Sequence, residues 1–214
     1  MPAQSRDLSK SQQARMATKL LDCLFLDCQK KLSRWAKITG QSAQLDSGYI
    51  AQHLISVLTG IKGTGMRGKG KDLVDNSEVK TASSIAGIDV PRWNHHLPSR
   101  KTKDTFLNSP NIYYILFDPV DKKSKRVRVR VWVVTPAIDS NFCKVVERWF
   151  NQSSRSTNFQ LHPPVRRDDN IATNENGNLE LPLMFKAEEE KNRKFAVKFF
   201  QIDYSQKSRL VARK

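Results

Sequence analysis

Cysteine is scarce: the 214 residues hold only Cys23, Cys28 and Cys143. These are too few and too scattered for the disulfide framework of a small secreted fold. Nor do they combine with histidine at the paired short spacings of a zinc site. The expectation is a reducing, cytoplasmic setting, with Cys23 and Cys28 as buried thiols on a helix. Long apolar runs are missing too. No stretch approaches the roughly 18 apolar residues of a membrane span. The opening segment, MPAQSRDLSKSQQ, has no apolar core of the secretory kind. Acidic residues are in deficit, 21 Asp and Glu against 37 Lys and Arg, for a formal net charge of +16. At that excess nucleic acid is the leading partner on electrostatics alone. A membrane surface and a basic ribosomal-type role are the other options. The length suits one domain, 1–214, and the 38% hydrophobic content is lean but sufficient for a core.

Glycine is also sparse, yet five of the nine glycines fall between Gly60 and Gly70. The stretch TGIKGTGMRGKGKDLVDNSEVK, from Thr59 to Lys80, therefore stands out. A loop so rich in glycine can adopt positive φ and let another backbone approach closely. Lys62, Arg67, Lys69 and Lys71 place positive charge on the same loop. Lys71–Val74, a turn at 75–77 and Glu78–Thr81 then read as a short hairpin. Alternation along a strand puts Glu78 and Lys80 on one face, and the turn brings Asp72 back towards them. Two carboxylates and an ammonium would converge beside a basic loop. Such a set suits metal-assisted attack on a phosphodiester. Asp72 and Glu78 would hold Mg²⁺, a hard cation that favours carboxylate oxygen and keeps several waters. The ion would make a water more acidic and neutralise phosphate charge. Lys80 would orient that water or stabilise the developing negative charge.

The pattern D-x5-E-x-K across a hairpin resembles the PD-(D/E)xK nuclease superfamily. The whole phrase is similar to its type II restriction endonucleases, and among them to the MamI-type group. One departure is that Lys71, not Pro, precedes the first Asp. The resemblance implies a restriction-endonuclease-like fold and a Mg²⁺-dependent, sequence-specific endonuclease for double-stranded DNA that leaves 5′-phosphates. It also implies a homodimer on a short palindromic site, in a prokaryotic or phage-encoded, nucleoid-associated setting. By the same resemblance Gln52, on the helix before the hairpin, is the candidate to face the metal site. A repair, phage or Holliday-junction nuclease is the alternative within this chemistry. A non-catalytic nucleic-acid-binding protein is the alternative outside it, and clustered carboxylates speak against it because they repel phosphate.

Two other patterns share the loop. Gly63 to Gly68 fits G-x-G-x-x-G, but that fingerprint must follow a strand and open a helix. Here a helical pattern precedes it. Gly65 to Lys71 fits G-x4-G-K, but Asp72 stands where Ser or Thr must meet Mg²⁺. No nucleotide cofactor is expected.

Along the chain, residues 1–10 read as a polar arm. A helix is predicted over about 11–38, its apolar stripe structural or lining a dimer contact. A second helix, capped by Asp46 or Ser47, ends at Gly60. The segment after Lys80 reads as irregular, with a buried Trp93 and surface histidines as one reading of its centre. Residues 111–118 read as a strand buried on both faces. Residues 126–134 read as a strand with valines inward and three arginines outward, solubilising it or touching DNA. A helix follows, capped by Asp139 or Ser140. Asp168 to Asn178 reads as surface loop, Leu179 to Phe185 as an edge strand around Pro182, 187–193 as a helical turn, and 194–202 as a last strand. The fold class is α/β (α+β), with a central mixed sheet flanked by helices.

DNA-contact candidates lie outside the hairpin as well. Ser83 can touch phosphate. Arg92 and Asn94 can contact G and A bidentately. Asn158, Gln160 and His162 would share one strand face, and Arg166 and Arg167 follow at once. Residues 153–178 are the expected recognition segment, and the tail at 205–214 is basic.

Overall fold

The computed structural model describes residues 8–65, 71–85, 90–121, 123, 125–165, 171–174 and 177–201. The polar arm, Arg67, Lys69, Arg166, Arg167 and the basic tail fall wholly or largely outside them. The chain opens on α1 (Lys10–Leu20), which runs through a π-helical segment (Leu21–Leu26) into α2 (Asp27–Thr39). Ser9 and Gln12 form a capping box at its start, and Gly40 ends it with φ of 72°. The expected long helix is present, but only part of its apolar stripe is core. Ala17, Leu21 and Phe25 are buried at i, i+4 spacing, whereas Trp35 and Ile38 are 62% and 74% exposed. The helix leaves the sheet beyond Phe25, so α2 buries no residue. Cys23 is exposed and Cys28 half-buried, against the expectation for both.

Helix α3 (Ser47–Thr59) is capped by the Asp46 side chain and closed by Gly60. The strands follow: β1 (Glu78–Ser83), β2 (Trp93–His96), then α4 (Arg100–Leu107), β3 (Ile112–Pro119) and β4 (Val127–Val134). Helix α5 (Ser140–Phe150), capped by Asp139, precedes β5 (Asn158–Leu161), β6 (Ile171–Asn174), β7 (Gly177–Glu180), β8 (Leu183–Glu189) and β9 (Phe195–Phe200). Five strands form one mixed sheet in the order β1-β3-β4-β8-β9. β1 pairs parallel with β3, and the other neighbours pair antiparallel. The β1–β3 crossover is what parallel pairing requires. It carries β2 and α4, where irregular structure was expected. β6 and β7 pair antiparallel, largely within the expected surface loop, and β8 is an interior strand rather than an edge or a helical turn.

Each face of the sheet carries a core. Val79, Tyr113, Ile115, Phe117, Val129 and Val131 pack under α1, the π segment and α3. Ala82, Tyr114, Leu116 and Trp132 pack with Trp93, Phe106, Phe142 and Trp149 on the other side. Strands covered on both faces have no outward row, and this corrects the reading of β4. Arg128 and Arg130 are 4% and 1% exposed and both close on Asp118, which is fully buried. Arg128 donates to Asp118 Oδ1 at 3.2 Å and Oδ2 at 2.7 Å, and Arg130 donates to Oδ2 at 3.1 Å. Burial makes that pairing obligatory.

Candidate active site

Asp72 and Glu78 meet at the start of β1, although the residues between them do not form a hairpin. In the segment 71–77 only Leu73 makes a β-bridge, to Gly63. Asn76 turns the chain with φ of 69°, and Asp75 ties the turn by accepting from the Ser77 amide. The Asp72 carboxylate then takes the place a hairpin partner's carbonyl would fill: Oδ2 accepts from the Val79 amide at 2.8 Å. Its other oxygen, Oδ1, accepts from Gln52 Nε2 at 2.6 Å. Gln52 comes from α3, whose Ala51, Leu54, Ile55 and Leu58 anchor it in the core. Asp72 is thus oriented from two elements.

Glu78 and Lys80 share a face of β1, with Lys80 Nζ 2.9 Å from Glu78 Oε1. Lys71 reaches the same carboxylate from the turn, its Nζ 3.6 Å from Oε2. The Lys71 ammonium also donates to Ser109 Oγ at 2.8 Å, so it points inward rather than out towards a DNA backbone. Burial pushes the Asp72 carboxyl above its usual range. The Val79 amide opposes this, and the nearby charge of Glu78 adds to it. A cation between the two carboxylates would relieve that repulsion.

The donor set fits a hard divalent ion. Two carboxylates leave most of an octahedral shell to water and substrate, as Mg²⁺ prefers. Among the described residues no group of three or more His, Cys, Asp and Glu is placed to hold a metal. A closed structural site of the zinc kind is therefore not what these residues build. Beside Asp72 opens a cleft of about 910 Å³, lined by Tyr49, Gln52, His53, Lys62 and residues 63–65. Ser83, Arg92 and Asn94 line a second cleft, about 610 Å³, near the far end of β1.

The residue pattern has a counterpart among known proteins. A family model described as MamI restriction endonuclease matches residues 34–202. The chain belongs to the MamI restriction endonuclease family. The type II restriction enzyme MamI of Microbacterium ammoniaphilum is 41% identical over a 180-residue alignment that covers 75% of this chain and 58% of that protein. The chain thus spans little more than half the length of that relative. No solved structure matches. The family match takes in Asp72, Glu78, Lys80 and the strands that frame them.

The remaining candidates fall into two groups. Asn94, Asn158 and Gln160 come together on paired strands β2 and β5, with His162 half-buried just beyond. Arg67, Lys69, Arg166 and Arg167 lie outside the described residues. Two features near the site had no local sequence signal. Ser109, which holds Lys71, is 38 residues away from it. His95, at the surface in one reading of the sequence, is buried, and its Nε2 lies 3.0 Å from the hydroxyl of Tyr114, the β3 residue in register with Lys80.

Proposed function

We propose that this chain is a Mg²⁺-dependent, type II site-specific DNA endonuclease that hydrolyses phosphodiesters and leaves 5′-phosphates. The observation that carries the reading is the convergence of Asp72, Glu78 and Lys80, oriented by Gln52 and the Val79 amide, in a member of a restriction endonuclease family. Asp72 and Glu78 would be the metal ligands. Bound there, Mg²⁺ would acidify a water and offset charge on the phosphate. Gln52 orients the Asp72 carboxylate by donating to Oδ1, and each carboxylate oxygen keeps further acceptor capacity for a cation. Lys80 supplies a preorganised positive charge where the phosphate gains negative charge, and it orients the attacking water. Lys62, with Arg67 and Lys69 of the glycine-rich loop, would grip the DNA backbone, and Ser83 and Arg92 would flank it. Double-stranded DNA is the partner, and a homodimer would place one such centre on each strand.

Incubation of supercoiled plasmid with the protein and Mg²⁺ tests the reading. Discrete fragments with ligatable 5′-phosphate ends are expected. Nicks only at branched or damaged DNA would favour a repair or junction nuclease. Retention of DNA without any cleavage, under metals from Mg²⁺ to Mn²⁺, would refute catalysis.

A further inference from the structure

On the same side of the sheet as Glu78 and Lys80, β2 and β5 pair antiparallel into a separate two-stranded ribbon. Its inner face is anchored hard. Trp93, His95, Phe159 and Leu161 are each no more than 2% exposed. Trp93 Nε1 donates to the Ile115 carbonyl at 2.8 Å, and His95 meets the Tyr114 hydroxyl. Both anchors are on β3, the strand that pairs with β1, so the ribbon is held rigidly against the catalytic strand.

The outer face is polar. Asn94 lies directly across from Gln160, and His96 across from Asn158. The second pair is joined: His96 Nδ1 is 3.1 Å from Asn158 Oδ1. With Nδ1 as donor, the Asn158 oxygen is taken and only its NH₂ remains to donate. The first pair is different. Among the described residues no partner holds the side-chain amide of Asn94 or of Gln160. Each keeps a donor and an acceptor side by side, which is what the N7 acceptor and N6 donor of adenine need together in the major groove. A two-stranded ribbon is also narrow enough to enter that groove. Arg100 and Lys101 are exposed at the start of α4, just past β2, where flanking phosphates would run.

We infer that the β2–β5 ribbon is the element that reads base sequence, with Asn94 and Gln160 each making a two-point contact to adenine. Asn158, tied to His96, supplies a single donor. The inference rests on the proposed role in DNA cleavage for its partner, but not on catalysis.

The test is selection from a randomised duplex pool, with Ca²⁺ replacing Mg²⁺, followed by sequencing of the retained DNA. The wild-type protein should enrich a motif that contains adenine. Asn94→Ala and Gln160→Ala should each relax one adenine position, by roughly 5- to 150-fold in preference, while other positions keep theirs. Weaker retention with an unchanged motif would show a purely structural role and overturn the inference. So would a motif without adenine, or no enriched motif. Cleavage is read separately: an adenine motif with no cutting in Mg²⁺ would sink the endonuclease reading and leave base reading standing.

Discussion

Replacing Lys80 by methionine keeps most of the side-chain volume and removes the charge. The structure sets what should and should not change. The Lys80–Glu78 pair is partly exposed, at 28% and 16% of the side-chain surface, and Glu78 keeps Lys71 at 3.6 Å. A pair of this exposure is worth about 1 kcal/mol or less to stability. The fold and Ca²⁺-supported DNA binding should therefore survive. Cleavage should not. A preorganised charge that acts on the transition state is worth about 10²–10³ in rate, or roughly 2.7–4 kcal/mol. The assay is single-turnover cleavage of a saturated complex, which removes binding from the rate. Asp72→Ala gives the contrast: it removes a proposed metal ligand, so raising Mg²⁺ should recover part of its activity, whereas Lys80→Met should not respond to metal. A Lys80→Met protein that cuts at near wild-type rate would refute the role given to the whole site.

Asp118→Ala should destabilise the fold by about 3–5 kcal/mol in urea denaturation, because it leaves Arg128 and Arg130 buried without their shared carboxylate; a loss under about 1 kcal/mol would contradict that account. Burial, with the charges of Lys80 and Lys71, holds the His95 imidazole well below the usual histidine range. The unfolded chain then binds the extra proton, so His95's contribution is complete above about pH 6.5 and falls away below it, by up to about 1.4 kcal/mol per pH unit. His95→Gln should flatten that part of the stability–pH curve, and an unchanged slope would assign the effect elsewhere. DNA affinity should fall linearly in log–log form with salt, by about 0.9 per phosphate neutralised. A constant that stays flat from low to high salt would remove the duplex as partner.

The candidate site was legible because its information is local. Asp72, Glu78 and Lys80 lie within nine residues, and strand alternation alone puts the last two on one face. Gln52 needed the helix before the loop, and its place was suggested only by resemblance. The hairpin was misread for a physical reason: the Asp72 side chain, not a backbone carbonyl, accepts from the Val79 amide. Spacing brings the two ends together either way, so the error in secondary structure left the convergence intact. Lys71 shows the opposite case. Its place in a basic loop suggested DNA, and only Ser109, distant in sequence, reveals that the ammonium turns inward.

The misread arginines carry a wider point about charge. Alternation in VRVRVWVV predicts one wet face only if the strand has one, and β4 lies between β3 and β8 with a core on each side. Whether a strand is central depends on pairing partners far along the chain, here Arg128 opposite both Asp118 and Glu188. The same fact qualifies what +16 means. Arg128 and Arg130 are buried on Asp118, and Lys103, 6% exposed, is paired with Glu147 and Asp104. These cations hold the protein together and present nothing to a duplex. The field that would draw DNA in must come from the rest, such as Lys62 beside the Asp72 cleft and Arg100 and Lys101 beside the β2–β5 ribbon. Those positions lie next to the proposed cutting and reading elements, which is where backbone contacts would fix the register between them.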